Sequence, residues 1–472
     1  MYSFFKKKTV DSILDSNKST SLEKTLGAFD VTLMSIGAVI GTGVMVLTGL
    51  VASRDAGPAV VLSFICSAIV CMLVALCYAE FASSIPTSGS AYAYVYVSLG
   101  EIIAHLVGWS LIAGYTMSLS AVAGGWAAYF NGLINELGIH IPGKFTTIPS
   151  QGGIINLPSI IIVLLITLLL SRGTKESKKI NNLLVLVKIG VIILFLAVGV
   201  FYIHIENYHP FMPFGAKGVF AGAASVFFAF TGFDAVSTSA EEVKNPQKDL
   251  PIGIVCSLIA CTIIYVMVCL VLTGIVHYSK LNIGDAMAFA LKYVGQGWAA
   301  FILSVGAVIG IMAVMLAYIF AASRILFSMS RDGLLPKVFG KVDSKTNVPM
   351  FSTLIIGCIG ALISGFVDLK QLADVSNMAI ITTFMLVSLS VITLRKTHPN
   401  LKRNFKTPFV PALPIAAVIF SLFLMANLSK ATWIYFISWL ILGLFVYFAY
   451  SRKNSSLQNI SKPNNEPSKK VS

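Results

Sequence analysis

The sequence predicts an all-α membrane protein with about twelve transmembrane helices. Of its 472 residues, 56% are hydrophobic and only 11% are charged, whereas soluble proteins carry about 25% charged residues. About twelve apolar runs reach the roughly 20 residues that a helix needs to cross a bilayer. Glycines 37, 41 and 43 interrupt the first of these runs, which indicates a helix that is broken in the middle of the membrane.

We number the apolar runs as segments 1 to 12 in chain order. Their predicted limits are 28–53, 58–82, 98–133, 157–171, 180–204, 217–240, 251–277, 298–330, 350–366, 371–394, 411–427 and 432–450. The membrane domain is predicted to cover 27–451, between an N-terminal tail (1–26) and a tail (452–472) whose Ser, Asn, Lys and Pro content favours disorder. Residues 1–26 lack an apolar core of signal-peptide length, so segment 1 is expected to serve as the insertion signal.

A second weak point, Phe230-Thr-Gly-Phe-Asp234, lies in segment 6. Segments 1 and 6 occupy corresponding positions if the core is two repeats of five helices, about 27–204 and 217–394, followed by two extra helices within 411–450. Interrupted helices at corresponding positions of two halves are the best sequence indicator of a transporter's substrate site.

The basic charge is distributed unevenly along the chain. The net charge is +14 and the pI is about 9.4. If both termini are cytoplasmic, 26 of the 34 Lys and Arg residues lie on the inner side, which is the asymmetry typical of membrane proteins. A basic inner surface that faces anionic lipid accounts for the charge. The lipid bilayer, and not nucleic acid, is therefore the expected partner of these residues.

Enzyme chemistry finds no support in the sequence. All seven cysteines fall inside predicted segments and show no CxxC or Cys/His spacing, so they are expected to be small buried hydrophobic residues. No disulfide-linked partner subunit, metal or other cofactor is predicted. Catalytic triads and phosphate-binding loops are absent from the sequence as well.

The break in segment 1 has the properties of an anion site. Its predicted residues are Val39, Ile40, Gly41, Thr42 and Gly43. A helix that ends near Val39 leaves carbonyls without partners, and one that restarts near Thr42 presents free N–H groups and a positive dipole end. A substrate carboxylate is the natural ligand. Alternatively, the glycines serve only close helix packing, since two of them have the four-residue spacing of such interfaces.

The break in segment 6 is predicted to bind the opposite charge. Its predicted site residues are Phe228, Ala229, Thr231 and Gly232. Carbonyls at Phe228 and Thr231 would accept hydrogen bonds from a substrate ammonium, and the Phe228 ring would close over it. Asp234 either caps the half-helix that follows or takes part in gating. The alternative is that the phenylalanines here only pack.

Lys188 is the one lysine or arginine in the interior of a predicted segment, since Lys217 and Arg324 lie towards the ends of theirs. A charge at the centre of a membrane helix costs roughly 2.5–3.5 kcal/mol on insertion scales, so intramembrane ionisable residues are usually functional. We predict that the ammonium contacts the open carbonyls of segment 1 and couples transport to protons. The alternative is that the side chain extends to the inner surface.

Four further polar residues receive simpler interpretations. Glu80 ends segment 2 and is expected to be an interfacial acid, and His105 is expected to pack. Glu241 and Glu242 either form gate salt bridges or are solvated.

Five motifs resemble the amino acid–polyamine–organocation superfamily, and more narrowly bacterial permeases of the cationic-amino-acid-transporter type. They are IGAVIGTGV (36–44), PTSGSAYAYV (86–95), NNLLVLVKI (181–189), FTGFDAVSTSAEEVKNPQKDLPIGI (230–254) and SRILFSMSRDGLLP (323–336). The resemblance implies a five-plus-five inverted repeat of the leucine-transporter type with two further helices.

The resemblance also implies roles for single residues. Thr42 and Gly43 would hold the substrate carboxylate. The ammonium would be held by the carbonyls of Val39, Phe228 and Thr231. Lys188 would replace a sodium ion and link transport to protons, so that no sodium site is expected. Met315 would border the side-chain pocket.

One residue departs from the family pattern. Related permeases often carry an acid in segment 3, where this chain has Gly114. A basic substrate side chain would lack that partner. We therefore expect a neutral amino acid, with a larger side chain where Gly114 leaves space.

These observations predict proton-coupled uptake of neutral amino acids by alternating access. One alternative is an exchanger, or a transporter of cationic amino acids or amines, on the same fold. A membrane receptor that senses amino acids is a third possibility, which the short polar segment 453–472 disfavours. The tripled lysines 6–8 and the lack of eukaryotic targeting features indicate a bacterial plasma membrane.

Overall fold

The protein is described by a computed structural model for residues 5–10, 26–87, 89–172, 178–234, 236–237, 243–343, 346 and 348–459. Within these residues the chain is helical, apart from an isolated bridge between Leu26 and Val243. In this part of the chain, seven helices are long and apolar enough to cross a membrane, and five shorter apolar helices accompany them. Each of the twelve predicted segments contains at least part of one of these helices.

We number the helices by the segment that forms them. The unbroken ones are helix 2 (Val60–Ser84), helix 3 (Glu101–Glu136), helix 4 (Leu157–Ser171), helix 5 (Lys178–Gly199), helix 7 (Pro246–Ile275), helix 8 (Gly297–Arg331), helix 9 (Met350–Phe366), helix 10 (Leu369–Thr397), helix 11 (Ala412–Ala426) and helix 12 (Lys430–Val446). Caps define several of their ends: Asn156, Asp368 and Ser429 accept hydrogen bonds from first-turn N–H groups of helices 4, 10 and 12, as such residues do at helix starts.

Helix 1 is broken where the glycines predicted it. The first half is Ala28–Val39. Ile40 then adopts an extended conformation (φ −73°, ψ 109°), and the helix resumes as a π-helical turn, Gly43–Leu47. The second half continues helically to residue 56. The break leaves the last carbonyls of the first half and the first N–H groups of the second without intrahelical partners.

The described part of helix 6 also ends at its predicted break, and residues 235 and 238–242 lie outside the described part of the chain. Its first half, Gly215–Val226, tightens into the 3₁₀ turn Phe227–Phe230, after which Thr231 is extended. Gly232 follows with φ +111°, and a Cβ atom there would lie 2.8 Å from the carbonyl oxygen of Ala38. Only glycine fits this position, because it needs both a positive φ and the close approach of helix 1.

The described residues near both termini lie at one end of the bundle. Lys8 forms an ion pair with Asp332 (Nζ–Oδ1 2.6 Å), and Ser455 donates a hydrogen bond to the buried carboxylate of Glu101 at 2.5 Å. We call residues 5–8, Glu101, Asp332 and 452–459 the terminal clasp. Disorder was expected from residue 452, but residues 452–459 form short helices. They are ordered because Ser455 and Gln458 donate hydrogen bonds to the buried Glu101 carboxylate. Residues 460–472 lie outside the described part of the chain.

The opposite end of the bundle is also joined by charges. Lys370 at the start of helix 10 forms an ion pair with Asp55 at the end of helix 1 (Nζ–Oδ2 2.9 Å). Arg54 lies 3.7 Å from Asp368 and donates a hydrogen bond to Asn282 at 2.7 Å. Chain ends and ion pairs thus fasten the bundle at both ends and leave the two breaks between them.

Candidate functional site

The two helix breaks touch each other. A Cβ atom at Gly43 would lie 2.3 Å from the Cα atom and 2.6 Å from the Cβ atom of Ala229, so the two backbones are in direct contact. The glycine permits this approach because it has no side chain. The sequence placed these residues in one site, and the structure brings them together.

Thr42 presents a buried hydroxyl that has no hydrogen-bond partner among the described residues. The residue is 1% exposed, and its methyl group packs where Gly125 of helix 3 leaves room. Leaving a buried polar atom unpaired costs about 1–3 kcal/mol, and such exceptions call for an explanation. The hydroxyl lies at the start of the second half of helix 1, where the free N–H groups favour an anion.

Tyr265 of helix 7 connects both breaks, and the sequence analysis missed it. Its hydroxyl lies 3.1 Å from the carbonyl oxygen of Val39 and 2.8 Å from that of Ala229. A phenol has one hydrogen to donate, so it serves one of these oxygens at a time. The residue is fully buried and packs edge-on against Phe64 and Phe230. No local pattern in segment 7 distinguishes this tyrosine.

Two of the three carbonyls predicted to hold an ammonium, those of Phe228 and Val39, have hydrogen-bond donors. The Phe228 oxygen accepts hydrogen bonds from the Thr231 hydroxyl (2.8 Å) and N–H (3.2 Å), which occupies both of its lone pairs. Val39 has Tyr265 as its donor. The Thr231 hydroxyl also lies 3.1 Å from that of Tyr318 in helix 8. An ammonium would therefore have to displace a donor at Phe228.

Lys188 extends from helix 5 to the first half of helix 1. Its Nζ donates hydrogen bonds to the carbonyls of Gly37 (2.8 Å) and Ile40 (3.3 Å), and the residue is 1% exposed. Gly310 of helix 8 makes room for its stem, since a Cβ there would lie 2.6 Å from Lys188 Cγ. The side chain thus lies at the carbonyls predicted for it rather than at the surface. Its part in proton coupling stays a prediction.

Asp234 follows the break in helix 6 and is fully buried. Its carboxylate accepts hydrogen bonds from the Tyr115 hydroxyl of helix 3 (2.6 Å) and from the Gly232 N–H (3.2 Å). The contact with Tyr115 ties helix 6 to helix 3 across the site. The predicted capping of the next half-helix, and the roles proposed for Glu241 and Glu242, fall on residues outside the described part.

Gly114 does not leave the space that the sequence analysis expected. A Cβ atom there would lie 3.0 Å from Ile380 Cγ1 and 3.5 Å from Ala379 Cβ, both on helix 10. Residue 114 faces helix 10 because of the rotation of helix 3 about its own axis, and the sequence does not reveal this rotation. Met315 is fully buried in helix 8; its neighbour Val314 packs on Gly41, 3.2 Å from the Cβ position.

Two polar residues outside the breaks have structural partners. Glu80 is 2% exposed rather than interfacial, because Arg395 binds both of its oxygens (2.9 and 2.6 Å) and Arg403 lies 3.3 Å away. His105 packs as expected: it stacks on Trp109 and its Nε2 lies 3.0 Å from the Gly443 carbonyl. All seven cysteines lie in helices as free thiols.

A comparison with known proteins identifies the family. The model of the family described as Amino acid permease matches residues 26–446, from the first half of helix 1 to the end of helix 12. The chain belongs to this family. The resemblance stated from the five motifs is thereby confirmed, and the protein is a membrane permease and not an enzyme.

Several relatives are similar over nearly the whole chain. The Bacillus subtilis methylthioribose transporter is 51% identical over 97% of this chain and 100% of its own length. The branched-chain amino acid permease BcaP of the same species is 47% identical over 96% of this chain and 99% of its own. The vacuolar cationic amino acid transporter 4 of Arabidopsis thaliana is 37% identical over 85% of this chain and 68% of its own length.

Proposed function

We propose that this permease takes up neutral amino acids with apolar side chains, coupled to protons, by alternating access. The observation that carries the proposal is the buried, unpartnered Thr42 hydroxyl at the start of a half-helix. Free N–H groups and a positive dipole end there suit a carboxylate, and a substrate ammonium would take the place of one of the present donors to the carbonyls of the breaks.

A neutral substrate agrees with the charges near the breaks. The acids of helices 1 and 3 lie at the helix ends, and helix 8 has none. Asp234 is engaged by Tyr115. A basic substrate side chain would thus have to displace the Tyr115 hydroxyl from this carboxylate, which disfavours it. The preference for a neutral substrate does not depend on Gly114. The relative BcaP is named for branched-chain amino acids, which are neutral.

The methylthioribose transporter supplies a second candidate substrate. Methylthioribose and leucine share a small apolar group at one end, so apolar lining from residues such as Val314 suits both. They differ at the other end, where the sugar has hydroxyls and no charge. The helix starts favour the zwitterion, because a dipole end stabilises a charge more than a hydroxyl.

We also propose the arrangement in the membrane. Helix lengths support two repeats within 27–204 and 217–394: helices 3 and 8 have 36 and 35 residues, and helices 4 and 9 have 15 and 17. The basic residues near the terminal clasp favour a cytoplasmic location for both termini. The opposite end, with Lys370 and Asp55, would face the outside of a bacterial plasma membrane.

Reconstituted liposomes test the proposal. Uptake of labelled leucine, alanine, arginine and methylthioribose is measured with and without an inward proton gradient. We expect leucine uptake that the gradient drives and that unlabelled alanine, but not arginine, inhibits. Uptake of methylthioribose alone would overturn the amino acid assignment. Uptake only into liposomes preloaded with amino acid would make the protein an exchanger, and binding without uptake would make it a sensor.

A further inference from the structure

Helix 10 presents one polar face to the outer halves of both broken helices. Lys370, Asp374 and Asn377 are spaced four and three residues apart, which places them on the same side of a helix. Lys370 forms the ion pair with Asp55 of helix 1. The other two residues contact helix 6, and neither belongs to the site described above.

The contacts with helix 6 occur where that helix ends. Ser225 donates a hydrogen bond from its hydroxyl to Asp374 Oδ1 at 2.8 Å. Asn377 Nδ2 donates to the carbonyls of Ala224 (2.8 Å) and Ser225 (3.0 Å). These carbonyls lie in the last turn of Gly215–Val226, just before the 3₁₀ turn Phe227–Phe230, where the regular α-helical hydrogen bonding changes. The N–H of Phe227 contacts the Ser225 carbonyl, and Asn377, which is fully buried, adds a side-chain donor from helix 10.

The contacts of Asp374 and Asn377 lie next to a point where helix 6 can bend. The extended residues Ile40 and Thr231 interrupt the helical hydrogen bonds. The outer halves, residues 43–56 of helix 1 and Gly215–Phe230 of helix 6, can therefore move separately from the chain on the other side of each break. A path from the outside to Thr42 opens only if an outer half leaves its neighbours. Asp374 and Asn377 bind the outer half of helix 6 close to its hinge.

We propose that Asp374 and Asn377 are positioning residues that hold the outer half of helix 6 against helix 10, and that release of these contacts opens the substrate path to the outside. This inference rests on the alternating access proposed above. The closed arrangement is the one in the structure, and the contacts bias the equilibrium towards it.

A cysteine reporter measures the opening without transport. Val46 is fully buried and packs where Gly125 of helix 3 leaves room, 3.0 Å from its Cβ position. Val46→Cys is expected to react slowly with a membrane-impermeant maleimide added to whole cells. Cells with the parent protein give the background from the native cysteines. Leucine uptake in the same cells shows separately whether the proposed function holds.

Variants of the contact should speed the reaction. Asp374→Ala and Asn377→Ala are each expected to label about fivefold faster or more, the shift that one net hydrogen bond produces in a two-state equilibrium. Asp374→Asn retains an oxygen that accepts from Ser225, so it should label at nearly the rate of the Val46→Cys reporter without a second substitution. Thr383→Val is the matched control, because within the described part of the chain this buried hydroxyl bonds to the Ala379 carbonyl of its own helix.

A double-mutant cycle separates the contact from general destabilisation. Ser225→Ala should resemble Asp374→Ala, and the double variant should label no faster than either single one, because both remove the same hydrogen bond. Additive effects, or equal labelling of Asp374→Ala, Asn377→Ala and the Thr383→Val control, would overturn the proposal. A parent protein that takes up no leucine would overturn the proposed function alone, since the labelling comparison stands independently.

Discussion

Replacing Gly43 by alanine should separate the two helix breaks. The added Cβ would lie 2.3 Å from the Ala229 Cα atom, about 1 Å closer than ordinary carbon contact. The three nearest atoms are the Cα, Cβ and N atoms of Ala229, and none of them can rotate away. Overpacking of this kind typically costs about 1–3 kcal/mol. Alanine also favours helix by ~1 kcal/mol over glycine, so a loss of function must come from the contact.

Transport should suffer more than folding. A displacement of about 1 Å at a site that orients its ligand can lower a rate about 100-fold, and we expect leucine uptake by Gly43→Ala to fall by roughly that factor. Gly41→Ala is the matched control in the same motif. Its Cβ would meet the Val314 side chain at 3.2 Å, and a methyl tip can give way, so uptake should fall at most about threefold.

The assay is initial-rate uptake into liposomes that contain equal amounts of folded protein, with thermal unfolding of each variant in detergent as the check on stability. Parent-level uptake by Gly43→Ala would refute the reasoning. Equal losses in the two alanine variants would also refute it, because the argument depends on backbone contact at one glycine and side-chain contact at the other.

Three further predictions concern side chains. Lys188→Met should abolish the dependence of leucine uptake on a proton gradient, and gradient-driven uptake at the parent rate would contradict its coupling role. Glu80→Gln should lower the free energy of unfolding by about 3 kcal/mol, because it leaves the buried Arg403 without its carboxylate; the exposed Glu206→Gln is the control in thermal unfolding. Tyr265→Phe removes a hydroxyl that lies within hydrogen-bond distance of carbonyls in both breaks, so its leucine KM should rise about tenfold, and an unchanged KM would show that this hydroxyl does not orient the site.

The sequence located the breaks because their signal is local. Glycine clusters and an apolar run are visible within one segment, and the structure places the end of the first half-helix at Val39, as predicted. The position of Lys188 was equally informative, since a buried charge needs nearby acceptors and the open carbonyls of helix 1 were the candidates.

Contacts between distant segments could not be predicted. Tyr265 bonds a carbonyl 226 residues away, and Glu80 binds Arg395 at a separation of 315 residues. Such partners depend on which helices become neighbours and on how each is rotated about its axis. The same rotation turned Gly114 towards helix 10, although the sequence correctly indicated its place along helix 3.

The terminal clasp sets an order for the maturation of the chain. Glu101 begins helix 3, yet two of its hydrogen-bond donors, Ser455 and Gln458, come from near the end of the polypeptide. During synthesis this carboxylate can gain these two donors only after almost every other residue has left the ribosome. The clasp therefore forms last, and a chain that stops short of residue 455 would leave the buried Glu101 carboxylate with the hydroxyls of Tyr96 and Tyr447 but without its two C-terminal donors.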